Sequence, residues 1–207
     1  MIGIIDYNAG NITSVERALK SLNIEYIRSK NPADLENCEK LLFPGVGDAA
    51  YAMEQLAKTG FDNFIKEKAA NGTPLFGICL GSQIIFEKSE EGNVDCLGLI
   101  KGSIKHFYTI DEELKNKDLK VPHMGWNNLN RKNGSSPLLE GIDEKADFYF
   151  VHSYVICPSD SNVIKATADY GIEVPSLIQK DNIYASQFHP EKSGKYGLKM
   201  LENFCKL

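Results

Sequence analysis

The stretch FGICLGSQIIF places Cys79 between Gly77 and Gly81, at the point where an apolar run gives way to a helical pattern. Glycines on either side let a strand turn sharply into a helix with the middle residue held at the apex, an arrangement known for nucleophilic serines. The unpaired N–H groups and dipole of the new helix favour a thiolate, and small neighbours leave room for a substrate. The competing reading is a cysteine of the ordinary buried kind beside glycines that merely end a strand. A second stretch, SQFHPE, sets His189 and Glu191 two residues apart. If extended geometry continues through Pro190, both side chains point the same way. Alone, that spacing reads as a surface turn after an edge strand. With Cys79 it completes a set in which a thiolate attacks, an imidazole takes and returns a proton, and a carboxylate holds the imidazole tautomer.

In LLFPGVGDAAYAM, Gly45 and Gly47 flank Val46. Glycines there let backbone N–H groups aim at a developing oxyanion, whereas Pro44 and Gly45 by themselves read as a tight strand-to-helix connection. The lysine and hydroxyl residue of a phosphate loop are missing. His106, His123 and His152 lack the H-x-x-x-H spacing of a helical metal site, so no metal is expected. His123 and His152 read as hydrogen-bonded structural residues.

Positioning such residues takes a sheet whose strands end at a common edge, and the chain alternates accordingly. IGIID is followed by ITSVERALKSL, with Ile12, Val15, Leu19 and Leu22 on one helical face, then by IEYIRS and KLLFPG. Helical patterns over Asp48–Lys58 and Phe61–Asn71 lead to PLFGI, the strand that ends at Cys79. This predicts an α/β fold of three layers, a mainly parallel mixed sheet with helices on both faces. Beyond Gly98 the style changes to strands joined by short turns (GLIKGSIKHF, ADFYFVHSYVI, VIKATADYG, SLIQKD, IYASQFHPE) and returns to helix in SGKYGLKMLENFCKL. Ligands of such sheets bind beyond the C-terminal ends of the strands, where Cys79 and the His-Pro-Glu segment fall.

With 207 residues, no repeat and no break in composition, one domain over 1–207 is expected. A hydrophobic fraction of 43%, a charged fraction of 25% and a net charge of -5 describe a soluble globular chain without general affinity for nucleic acid. The densest basic stretch, LKNKDLK, is interrupted by Asp118 and reads as solvated surface. MIGIID has no basic segment before its apolar run and carries Asp6 within it, unlike a secretory signal. Five cysteines without a C-x-x-C pair indicate neither a disulfide framework nor a zinc knuckle, and a reducing cytoplasm is the expected home.

PGVGD, GICLGSQ and QFHPEKS, in that order and separation, resemble the class I, triad-type glutamine amidotransferases. DYNAGNITSVERAL, KVPHMGWNNL, FYFVHSYVI and HPEKSGKYGLKMLENF narrow the resemblance to the glutaminase subunits of imidazole glycerol phosphate synthase, across essentially the whole chain. The resemblance implies hydrolysis of glutamine to glutamate and ammonia by Cys79, His189 and Glu191, with no cofactor. It implies transfer of the ammonia to a cyclase subunit that makes imidazole glycerol phosphate and an aminoimidazole carboxamide ribotide in histidine biosynthesis, the two subunits forming a heterodimer. It further implies oxyanion contacts from N–H groups at Val46 (or Gly45) and Leu80, and glutamine held by Gln83 and the Ser153-Tyr154 backbone. Asn11, Met124, Trp126, Tyr149 and Lys192 match positions near the cyclase interface; by their chemistry alone, Trp126 reads as a partly buried core aromatic and Lys192 as a solvated side chain. The chain departs from the family pattern at Asn8, at Asp48-Ala49 and at Ser82. Other readings are a paralogous glutaminase feeding a sugar-amination synthase, a stand-alone cysteine hydrolase, and a silent binding module, the last disfavoured because all three triad positions are filled.

Overall fold

Apolar residues in the first strands change face with period two, and each face meets a different pair of helices. In a computed structural model, which describes residues 1–117 and 119–207, Leu41 and Phe43 pack on one side of the sheet and Leu42 on the other. Asp118 lies outside the described residues. The chain runs β1 (Ile2–Ile5), α1 (Ile12–Ser21), β2 (Tyr26–Ser29), β3 (Lys40–Gly45), α2 (Ala49–Thr59), α3 (Phe61–Ala70), β4 (Leu75–Cys79) and α4 (Leu80–Ile84). It continues through β5 (Lys88–Ser89), β6 (Val94–Asp95), β7 (Gly102–His106), α5 (Phe107–Ile110), β8 (His123–Asn128), β9 (Asn130–Arg131), β10 (Asp147–His152) and β11 (Tyr154–Pro158). The last elements are β12 (Ile164–Asp169), β13 (Glu173–Lys180), β14 (Ile183–Ser186) and α6 (Gly194–Lys206).

Eight strands form the main sheet in the order β2-β1-β3-β4-β14-β13-β12-β9. From β2 to β14 neighbours are parallel, and from β14 to β9 they are antiparallel. Ala52, Leu56, Phe61 and Ile65 of α2 and α3 cover one face; Val15 and Leu19 of α1 with Leu201 and Phe204 of α6 cover the other. The three layers are those the alternating pattern predicts. Helix ends follow local chemistry: Asp48 accepts the Tyr51 N–H at 2.8 Å to start α2, and Gly60, at φ 77°, ends it. Among the described residues no helix is long and apolar enough to cross a membrane.

Two expectations need correction. ADFYFVHSYVI reads as one strand, yet the chain breaks at Ser153: β10 pairs with β8 in a two-stranded sheet, while β11 pairs with β7 in a four-stranded sheet that also holds β5 and β6. The break is anchored where the Phe107 N–H meets the Ser153 carbonyl at 3.2 Å. Nor does extended backbone continue through Pro190. β14 stops at Ser186, and Pro190–Lys192 is a single helical turn closed on the His189 carbonyl by the Lys192 N–H (3.0 Å) and the Ser193 hydroxyl (2.6 Å). Proline suits the first position of such a turn, because its fixed φ is helical and its missing N–H is not needed there.

Backbones come very close between β3 and α4. A Cβ on Gly81 would run into the Phe43 carbonyl, and one on Gly77 would stand 2.8 Å from the Gly81 carbonyl oxygen. Gly81→Ala is therefore expected to destabilise the protein by about 2–3 kcal/mol through overpacking against backbone. Thermal unfolding should show a Tm lowered by roughly 4–12 °C for a chain of this size, and an unchanged Tm would contradict the packing described.

Candidate active site

Cys79 is the last residue of β4 and adopts φ 54° and ψ -111°, a conformation that L side chains rarely occupy. Such backbone costs on the order of 1–3 kcal/mol and persists only where its surroundings impose it. Here Gly77 and Gly81 give the clearance, and the Ser82 hydroxyl donates to the Cys79 carbonyl at 2.5 Å, tying the kink to the first turn of α4. The thiol is 8% exposed, with Sγ 4.0 Å from the Val151 carbonyl.

His189 reaches the thiol from the loop after β14. Its N–H donates to the Tyr149 carbonyl at 2.9 Å, and its Nδ1 lies 2.7 Å from Glu191 Oε1, both side chains being 2% exposed. The short turn, not strand alternation, brings the two side chains together. Burial acts to lower the imidazole pKa, but the Cys79 sulfur and the Glu191 carboxylate outweigh it and push the value up to about 10. Among the described residues, the buried Nε2 has no hydrogen-bond partner that would compete with the sulfur, and the raised value makes it the place where the sulfur's proton rests.

A cavity of about 330 Å³ opens over this pair and brings together Val46, Leu80, Gln83, Ser153, Tyr154 and Lys192 from the sequence-derived set. Glu191 lies behind His189 and does not line it. Of the two oxyanion candidates before the kink, Val46 lines the cavity and Gly45 does not. Gly45 is where β3 meets Cys79 in register, and a Cβ there would stand 2.5 Å from the Tyr7 hydroxyl and 2.7 Å from the Gly81 nitrogen, so its need for glycine is one of packing. Gly47, at φ 99° and in open space, is the glycine at the cavity wall. Gln83 is fixed from both sides, its Nε2 donating to the Tyr154 carbonyl at 3.2 Å and to Gln187 Oε1 at 2.9 Å.

Sequence reasoning missed Glu91, which also lines the cavity. One oxygen accepts the Ala49 N–H at 3.0 Å, and burial raises its carboxyl pKa, with Asp48 adding to the rise and that N–H opposing it. Within KSEEG it is indistinguishable from a solvated acid. Its short spacing after the helix that follows Cys79 was the one available signal.

The interface candidates separate. Met124 and Trp126 on β8 are 62% and 58% exposed, which overturns the reading of Trp126 as a partly buried core aromatic. Tyr149 pairs with Trp126 across the two-stranded sheet, the rings 5.9 Å apart, and Lys192 Nζ lies 5.9 Å from the Tyr149 ring. These three form one patch that runs into the cavity through Lys192. Asn11 is exposed at the start of α1, the helix that packs on the turn Pro190–Lys192. His123 and His152 are hydrogen-bonded and buried, as their spacing suggested.

Residues 3–207 match the family described as Glutamine amidotransferase class-I, and the chain belongs to that family. The imidazole glycerol phosphate synthase subunit HisH of Geobacillus sp. (strain WCH70) is 45% identical over 208 residues, covering 100% of this chain and 97% of the relative. The protein of the same name from Bacillus subtilis (strain 168) is 44% identical, covering 100% and 96%. Subunit HisH 1 of Methanococcus maripaludis is 45% identical with full coverage of both, 100% and 100%. A crystal structure of a glutamine amidotransferase superposes with a TM-score of 0.74 at 21% identity, covering 98% of each chain, and PurLQS from Thermotoga maritima does so at 0.72 and 18%, covering 99% and 97%. Both share the fold.

The five thiols differ in the chemistry around them. Burial pushes Cys96 up to about 12 and Cys205 up to about 11, and raises Cys38 and Cys157 as well, while Cys79 alone adjoins an imidazole held by a carboxylate. Iodoacetamide at neutral pH is expected to alkylate Cys79 first, and His189→Asn to slow that reaction by at least about tenfold. Peptide mass mapping reads both; equal labelling of Cys79 and Cys205 would remove the case for an activated thiolate.

Proposed function

We propose that this member of the class-I glutamine amidotransferases hydrolyses glutamine to glutamate and ammonia, and passes the ammonia to the cyclase subunit of an imidazole glycerol phosphate synthase. The observation that carries the reading is the strained Cys79 beside a buried His189 whose other nitrogen is held by Glu191. In this reading Cys79 Sγ attacks the carboxamide carbon with its proton already held on His189 Nε2. The oxyanion then accepts N–H groups at Val46 and Leu80. The intermediate collapses as the C–N bond breaks, and His189 returns the proton to the departing nitrogen, so neutral ammonia leaves and a glutamyl thioester remains. Water, deprotonated by His189, opens the thioester and restores the thiol.

The cavity suits an amino acid. Glu91 offers a carboxylate to the substrate ammonium, and Gln83 and the Ser153-Tyr154 backbone offer hydrogen bonds along its length. Ammonia released to bulk water becomes ammonium and loses its lone pair, so the patch of exposed Met124 and Trp126 with half-buried Tyr149 and Lys192 fits a docking face that keeps water out. The relatives' shared name as synthase subunits supports a cyclase as the partner and disfavours a stand-alone hydrolase. Residues 1–207 act in this reading as one glutaminase domain in the cytoplasm.

Glutamine-dependent and ammonium-dependent turnover of the reconstituted pair separate the roles. Cys79→Ser is expected to abolish the first, by more than about 1,000-fold, and leave the second intact; retained glutamine-dependent turnover would sink the nucleophile assignment. Glu91→Gln removes the charge facing the ammonium, so KM for glutamine should rise by roughly 10–100-fold with kcat changed far less. A variant with wild-type KM would take Glu91 out of substrate binding.

A further inference from the structure

His152 in the cavity wall and His123 behind it form a chain of hydrogen bonds that the hydrolytic mechanism does not use. His152 Nδ1 lies 2.7 Å from the Tyr154 carbonyl oxygen, and His152 Nε2 lies 3.1 Å from His123 Nδ1. Both side chains are buried, at 5% and 2% exposure. His123 is clamped flat between two rings, Phe150 at 4.6 Å and Tyr170 at 3.9 Å between centroids. The Tyr154 carbonyl is also the acceptor for Gln83 Nε2.

These contacts have a direction. A carbonyl only accepts, so His152 must carry its proton on Nδ1; as a neutral ring it then has a lone pair on Nε2, which only a proton on His123 Nδ1 can meet. We propose that His123 and His152 are positioning residues, a neutral one-way relay that fixes the Tyr154 carbonyl and, through it, the Gln83 carboxamide that faces the substrate. Burial keeps both rings uncharged at working pH, pushing His152 down to about 3 and His123 to about 4, and the nearby His189 adds to the cost of charging His152. Neutrality matters because a protonated His152 would lose its acceptor nitrogen and set two donors against each other. The outer end of the relay belongs to β8, whose first residue is the buried His123 and whose next outward-facing residues are the exposed Met124 and Trp126. Substrate positioning is thereby built onto the same strand as the docking patch.

The inference rests on the glutaminase reading for its consequence in kinetics but not for its spectroscopy. His123→Phe keeps the ring clamp and deletes the donor to His152, whereas His123→Asn places an amide N–H near the lost Nδ1. In the reconstituted pair, His123→Phe is expected to raise KM for glutamine about tenfold with kcat within about twofold, while ammonium-dependent turnover is unchanged, and His123→Asn should recover most of the loss. Nitrogen NMR of the labelled chain bound to unlabelled partner should show His152 and His123 each protonated on Nδ1 alone. An unchanged KM in His123→Phe, equal losses in the Phe and Asn variants, or a His152 proton on Nε2 would each overturn the relay. Absence of glutamine turnover in the wild-type pair would instead bring down the functional reading, and the nitrogen spectrum would still decide the tautomers.

Discussion

A single backbone torsion organises the molecule around it. Cys79 stands at φ 54° because β4 must stop and α4 must start within one residue, and that reversal fits only if the neighbouring chain comes close. Gly77 and Gly81 give up their side chains to permit the approach, β3 lies in register against the kink at Gly45, and the Ser82 hydroxyl closes on the Cys79 carbonyl. The apolar layers formed by α2 and α3 on one side and α1 and α6 on the other supply the stability that holds this torsion in place. Strain kept in one residue thus gives a thiol that projects from the sheet's edge instead of lying in it.

The rest of the site comes from chain segments that have left the sheet. His189 and Glu191 follow β14, Ser153 and Tyr154 lie where one apolar run changes sheets, and Glu91 sits in the irregular stretch between β5 and β6. Electrostatics sort the three buried imidazoles near the cavity into two kinds. His189 faces a sulfur and a carboxylate and takes up charge readily; His152 and His123 face a carbonyl and each other and stay neutral. The same side chain therefore serves as proton carrier in one place and as a rigid spacer in the other, according to what each nitrogen can meet.

Much of this was legible in the sequence where the signal is local. Gly-x-Cys-x-Gly after an apolar run specifies a strand-to-helix reversal, Asp48 specifies a helix start, and the faces of α1 follow from the spacing of Ile12, Val15 and Leu19. Nonlocal contacts left no such trace. Nothing in ADFYFVHSYVI distinguishes a strand that continues from one that changes partners at Ser153, since both halves are equally apolar and β-branched or aromatic. Glu91 looks like any surface acid until the Ala49 N–H and the cavity enclose it, and the outward orientation of Trp126 depends on which face of β8 meets the body of the protein. His-Pro-Glu was read for the right contact through the wrong geometry, because proline allowed either an extended pair or a helical turn.

The place of β14 in the sheet bears on how the protein is made. Residues 183–186 come late in the chain, yet they fill the position between β4 and β13. During synthesis, which proceeds from the N-terminus, the outer edge of β4 must wait with its hydrogen-bonding groups unmet until most of the chain has emerged, an exposure that favours capture by other strands or by chaperones. The segment that finally closes this edge also delivers His189 and Glu191 three and five residues later. Nascent or prematurely ended chains therefore carry the cysteine without its base, and the nucleophile is armed only when the sheet is complete.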